Sequence, residues 1–348
     1  MQLRYFVFFS LAFLVSFIAT FLVSRIAVRR QILDVPDDER RFHKKPTPTL
    51  GGIAIFSSFF LVTLFLGVFG GYLMNGNIPL AVLAGIWAGG AILMIGGYLD
   101  DRYRLEPWQS IIFPIMASMV IVTAGVKAVS VHNPLNNEVI MLMPLASGLV
   151  VFLWTMTLTY TTKILDGMDG LVSGIAAIGA MVLFGLSLTS QVNQPQTALL
   201  AITFAGSLLG FLILNFHPAK IFLGEGGSTF AGFMLAVLAI VSGGKIATAL
   251  LVMGIPLLDM IWVVTQRLIN GQSPFSGDRK HLHYKLTEIG FSEPQAVLFL
   301  YALTGIFGVS GLFLQSRGKL IALIIMVIVM LAIVSSVFYA FKNKKNQE

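Results

Sequence analysis

Cysteine is absent from the 348 residues, which excludes disulfides and thiolate metal sites. Charge is also scarce. Asp, Glu, Lys and Arg make up 11% of the chain and hydrophobic residues 56%, whereas soluble domains carry about a quarter charged residues. That balance excludes an ordinary soluble domain and points to a bilayer as the solvent. No connection is long enough for a separate soluble domain: the longest, 25–50 and 267–293, hold roughly 25 residues each. There is no fixed-period repeat and no low-complexity tract. The apolar runs show no period-two alternation, which argues against a barrel. The first run ends in "SRIAVRR" rather than a small-residue cleavage site, so it reads as a retained helix.

What the chain does have is apolar runs of spanning length. About eleven occur, near 5–24, 51–69, 79–99, 108–126, 145–162, 171–190, 196–214, 228–243, 246–266, 294–314 and 320–341. Each can cross about 30 Å of hydrocarbon as a helix. The expected fold is an all-α polytopic integral membrane protein, a single membrane domain over 1–348. Its active loops, at 25–50, 100–107, 161–170, 215–227 and 267–293, would share one face.

Eleven spans divide the 23 Lys and Arg residues eighteen to five between the two faces. The rich face is expected to be cytoplasmic, with the N-terminus outside and the C-terminus inside. The net charge of +7 follows from this sorting and does not call for nucleic acid. A basic face of this kind also attracts anionic lipids and phosphates. Topology sorts acids weakly, yet all but Glu138 fall on or near the basic face. Carboxylates beside hydrocarbon are costly unless paired, metal-bound or wet.

Five segments carry chemistry. In "GGYLDDRYRL", Asp100 and Asp101 end a span that is uncharged from Pro79 to Leu99. Adjacent carboxylates stay ionised together when a cation offsets them, so the pair suits a hard ion; a hydrated helix end countered by Arg102 and Arg104 is the plainer reading. In "KILDGMDGLVSG", Asp166 and Asp169 share a helical face between glycines that admit a ligand, although Asp169 also suits a helix start. In "NFHPAKIFLGEGGSTFAG", Glu225 precedes a glycine turn whose N–H groups could meet phosphate. "SPFSGDRKHLHYKL" gathers Asp278, Arg279, Lys280, His281 and His283, donors suited to diphosphate oxygens or a solvated basic loop. "DDERRFHKKPTPTLGG" offers Lys44 and Lys45 on a Pro- and Gly-shaped turn. Asp259 is a buried acid just after Pro256, a kink point, and a helix–helix hydrogen bond would explain it. Jointly the five loops favour a Mg2+-dependent phosphate reaction.

In order, "HKKPTPTLGG", "GGYLDDRYRL", "DGMDGLVSG", "NFHPAKIFLGEGGS" and "SPFSGDRKHLHYKL" resemble the polyprenyl-phosphate N-acetylhexosamine-1-phosphate transferases, from about Asp34 to Leu286. The last motif is more similar to the GlcNAc-1-phosphate branch than to the phospho-MurNAc-pentapeptide branch, which is the alternative. The resemblance implies transfer of a sugar-1-phosphate from a UDP-sugar to undecaprenyl phosphate with release of UMP. It implies catalytic roles for Asp100, Asp101, Asp169 and His281, and substrate contacts from Lys44, Asp166, Asn215, Arg279 and His283. Glu225 with Asp101 would hold Mg2+, with Mn2+ as a substitute ion. A ninth helix bent near Pro256, a setting in the bacterial inner membrane and a homodimer are also compatible with it. Several positions depart from the family pattern. Glu225 stands where Asp is usual, Tyr160 and Lys163 where Asn is usual, and Tyr284 where a second histidine is usual. No lysine follows the paired aspartates among Pro107, Trp108, Gln109 and Ser110. From another class, a transporter would place its ionisable groups near the midplane, where only Asp259 lies.

Overall fold

A computed structural model describes residues 2–36, 45–74, 76, 78–132, 138–243, 246–273 and 280–345. Two of the expected site residues, Lys44 and Arg279, lie outside the described residues. Thirteen α-helices are described: α1 (Gln2–Arg29), α2 (Gly51–Val62, continued as a π-helix over Thr63–Phe69), α3 (Leu80–Tyr103), α4 (Pro107–Ser110), α5 (Ile112–Thr123), α6 (Pro144–Leu165), α7 (Leu171–Leu188), α8 (Pro195–Asn215), α9 (Gly224–Val241), α10 (Ile246–Ile269), α11 (Leu282–Glu288), α12 (Glu293–Phe313) and α13 (Ser316–Lys345). Two small antiparallel ribbons, β1 (Leu33–Asp34) with β2 (Thr47–Pro48) and β3 (Ser130–His132) with β4 (Val139–Met141), complete the described structure.

The chain is therefore an all-α, multi-pass membrane protein. Among the described residues, ten helices are long and apolar enough to cross a bilayer. The run expected at 108–126 forms the shorter helical stretch Pro107–Thr123, divided into α4 and α5 at Ile111. Pro107 opens this stretch, and Glu106 and Gln109 form a reciprocal capping box, which fixes where the helix starts. Pro256 stands inside α10, where its missing N–H interrupts the hydrogen-bond ladder.

Enclosure grades from centre to rim. The spanning window of α9 is 83% buried and that of α13 only 17%, so α9 is the axis of the bundle and α13 borders lipid. Phe230 on α9 meets the rings of Phe56, Phe59 and Phe204 edge-on. Helix α8 lies closely against α1 because Gly206 and Gly210 face the backbone of Phe9 and Phe13, as small residues allow in a membrane. Polar staples reinforce the contact: Ser16 donates to the Ser207 carbonyl at 2.6 Å, and Ser58 on α2 to the Ala12 carbonyl at 2.6 Å.

Glycine also sets the approach of α2 and α3 to the start of α9. A Cβ at Gly97 would collide with the backbone N of Gly226, and one at Gly52 with that of Gly227. The Gly51 and Gly52 N–H groups donate to the Phe222 and Leu223 carbonyls at 3.0 and 2.8 Å. Helix α9 thus begins wedged between α2 and α3, and its first acid emerges beside the end of α3.

Candidate active site at the start of the central helix

Three helix ends meet around Glu225. Asp101, near the end of α3, accepts the Glu225 backbone N–H at Oδ1, 3.3 Å away, capping α9 from a neighbouring helix. Lys163, near the end of α6, lies with Nζ 2.6 Å from Glu225 Oε1. Ser110, from α4, completes the group: its Oγ accepts from Lys163 Nζ at 2.9 Å and is 3.3 Å from Glu225 Oε1. Asp100 receives the Leu105 backbone N–H and the Ser110 hydroxyl, and feels the charges of Glu225 and Lys163.

Asp166 joins this group from the α6–α7 turn. Its side chain keeps surface open to solvent, yet protein atoms crowd around it. That enclosure, then the negative charges of Glu225, Asp101 and Asp169, holds its carboxyl well above the usual carboxylate range. A group can be reachable by water and still be poorly solvated when it stands in a recess with other acids.

Asp169 turns toward a second cluster. Its Oδ2 accepts the Ala219 N–H at 3.0 Å and lies 3.0 Å from His217 Nδ1, which is 3.1 Å from Glu293 Oε2. Among the described residues, Asp169, His217 and Glu293 are the trio whose ligand atoms all lie within 4.8 Å of one another. Asn215 is buried, donating to the Ile221 carbonyl at 3.0 Å and accepting from Ser173 at 2.7 Å; it pins the turn leading to α9.

The histidine segment packs behind Asp166. His281 Nδ1 lies 2.8 Å from Asp259 Oδ2, and the Leu282 N–H donates to Asp259 Oδ1 at 2.8 Å. His281 and His283 are both buried and lie nearly parallel, with ring centroids 5.6 Å apart. Gly167 has no room for a side chain because His283 Nε2 and the Tyr284 hydroxyl abut it; Tyr284 donates to the Gly167 carbonyl at 3.2 Å. Burial, with His281 adding to it and Asp259 opposing, pushes the His283 imidazole down to about 4. Among the described residues, neither of its ring nitrogens has a protein partner.

Of the candidate residues, Asp100, Asp101, Asp166 and Glu225 come together, Asp169 adjoins them, and His281 and His283 form the wall behind. Sequence reasoning missed Ser110, His217 and Glu293 as site members. Serine and a helix-start glutamate carry no local signal, whereas His217 lay within a quoted motif.

The donor set does not suit the Mg2+ expected at Glu225 and Asp101. Mg2+ demands unencumbered oxygens in near-octahedral array, whereas Glu225 Oε1 holds an ammonium and Asp101 Oδ1 holds an N–H. While Lys163 keeps this position, Glu225 Oε1 and Asp101 Oδ1 are not free to hold Mg2+.

The family model described as glycosyl transferase family 4 matches residues 83–243. The chain is 30% identical to the probable undecaprenyl-phosphate N-acetylglucosaminyl 1-phosphate transferase of Bacillus subtilis, over 95% of this chain and 90% of that protein. It is 32% identical to the decaprenyl-phosphate N-acetylglucosaminephosphotransferase of Mycobacterium leprae, over 85% of this chain and 80% of that protein. Identity is 29% to the undecaprenyl-phosphate alpha-N-acetylglucosaminyl 1-phosphate transferase of Yersinia pestis, over 89% and 83% respectively.

Proposed function

Because this chain belongs to glycosyl transferase family 4, we propose that it moves a HexNAc-1-phosphate, GlcNAc-1-phosphate foremost, from a UDP-sugar to undecaprenyl phosphate and releases UMP. The product would start a cell-envelope glycan. The relatives' names support the lipid acceptor and the GlcNAc-phosphate group. The observation that carries the reading is the meeting of Asp100, Asp101, Asp166 and Glu225 beside Lys163 at one rim of the bundle. A transporter has no need of such a rim.

Chemically, an oxygen of the lipid phosphate attacks the sugar-bearing phosphorus, and the bond from that phosphorus to the UMP oxygen breaks. UMP leaves with the electron pair. Asp100 positions the lipid phosphate and takes its remaining proton. Lys163 faces the charge that develops on the diphosphate. The site lies on the cytoplasmic face of the bacterial inner membrane, where UDP-sugars are available, with the N-terminus outside and the C-terminus inside; the Lys and Arg asymmetry supports this orientation.

The test is UMP release from a panel of UDP-N-acetylhexosamines with undecaprenyl phosphate in membranes holding the full chain. UDP-GlcNAc should give the fastest release, and Asp100→Asn should cut turnover far more than UDP-sugar affinity. Lipid or sugar flux without UMP would overturn the reading.

A further inference from the structure

Lys163 and Glu225 form an ion pair at the centre of the site, where a divalent cation was expected. Tyr160, one turn before Lys163 on α6, sets its ring 5.5 Å from the same Nζ and feels the charge of Glu225. Of three positions that stood apart from the family pattern in the sequence, Lys163 therefore meets both Tyr160 and Glu225. Changing Lys163 or Glu225 alone would leave a charge unmatched. Together they form one compensated unit.

An ammonium has three N–H donors. Glu225 Oε1 takes one at 2.6 Å and Ser110 Oγ a second at 2.9 Å, which leaves the third, among the described residues, for an outside acceptor. The side chain of Lys163 is 24% exposed, so it is not sealed inside the protein. The longer reach of glutamate brings its carboxylate to Lys163 and fixes the ammonium by two bonds before any substrate arrives. A fixed cation in a recess offers what phosphoryl transfer asks of a cation, which is charge held at the diphosphate oxygens without reorganisation.

We propose that the Lys163 ammonium, held by Glu225 and Ser110, is the resident cation of the diphosphate subsite, so that this chain catalyses its transfer without a divalent ion at Glu225. The proposal rests on the transferase reading above and concerns the same bond changes. Lys163 donates to a diphosphate oxygen, and no proton is lost from it during the step.

The experiment measures UMP release by the full chain in lipid nanodiscs, with the UDP-sugar panel and undecaprenyl phosphate, in excess EDTA and over a Mg2+ titration. Mn2+ binding is read in parallel by electron paramagnetic resonance. The expected result is release in EDTA within about threefold of that in Mg2+, and no tight Mn2+ site. Lys163→Asn should lose at least about 100-fold in EDTA, as removal of one fixed transition-state donor does, and Lys163→Asn/Glu225→Asp should bind Mn2+ at least about tenfold more tightly than the unaltered chain. Lys163→Arg, which keeps the charge, should retain more EDTA-resistant activity than Lys163→Asn and serves where the latter does not fold. Release that requires Mg2+ in the unaltered chain would overturn the inference and leave the transferase reading standing. No UMP under either condition would overturn both.

Discussion

Asp259 Oδ2 lies 2.8 Å from His281 Nδ1 while Asp259 Oδ1 accepts the Leu282 N–H at 2.8 Å. One buried carboxylate of α10 thus fixes both the imidazole and the backbone where α11 begins. On its other side, His281 Nε2 lies 3.5 Å from the Arg267 guanidinium. Asp259 therefore acts as a positioning residue. Asp259→Asn keeps an acceptor for Leu282 but weakens the bond to the ring, and turnover is expected to fall about 10- to 100-fold with the fold preserved. Asp259→Ala leaves two buried donors unpaired, each costing about 1–3 kcal/mol. UMP release and thermal melting of both variants check the pair: equal loss of stability in the two would contradict the positioning role.

The glycine at 97 offers a packing test. Gly97→Ala places a methyl into the backbone of Gly226, and neither helix can withdraw without moving α9. Overpacking of this kind costs about 1–3 kcal/mol or more, and here it also displaces Glu225. Gly305→Ala, on α12, meets nothing within 4 Å and should be neutral or gain up to about 1 kcal/mol from helix propensity. Melting temperatures in detergent should separate the two clearly. Similar values would mean that the α3–α9 contact is looser than described.

Much of the architecture was legible because long apolar runs have few alternatives in a bilayer. The broken stretch Pro107–Thr123 was read as one span, since nothing in its hydropathy marks a division at Ile111. Within the site, Asp100, Asp101, Asp166 and Glu225 stood out as acids at span ends, which is a local property. Their partners did not. That Lys163 meets Glu225, or Glu293 meets His217, depends on which helix ends become neighbours, and no spacing within one segment encodes it. Asp259 was visible as a buried acid, but the partner that makes sense of it is 22 residues further on.

Asp166 supplies a pH signature. Its carboxyl is held above the usual range in the folded chain, so between the unfolded value of about 4 and the raised folded value the native state binds more protons. Stability contributed by this group therefore falls as pH rises through the folded pKa. Asp166→Asn removes that cost, and the variant should melt higher than the unaltered chain at pH 8. The gap should close as pH falls toward about 4. UMP release should drop in the variant at every pH. A melting difference independent of pH would remove the electrostatic strain assigned to this recess.

His283 titrates in the opposite sense. Burial holds its imidazole at about 4 against about 6.5 in the unfolded chain. Above pH 6.5 both states are neutral there and the full stability is present. As pH falls from about 6.5 to about 4, the unfolded chain takes up a proton that the folded chain refuses, and about 3 kcal/mol is lost over the window. His283→Leu cannot take up that proton, although it gives up the fit of the ring against Gly167. It should melt below the unaltered chain at pH 7.5, and that deficit should shrink steadily down to about pH 4.5. Melting curves at four pH values, each for both proteins, measure the slope. Parallel slopes would mean that His283 ionises freely in the folded protein, and that the wall behind Asp166 is open to water.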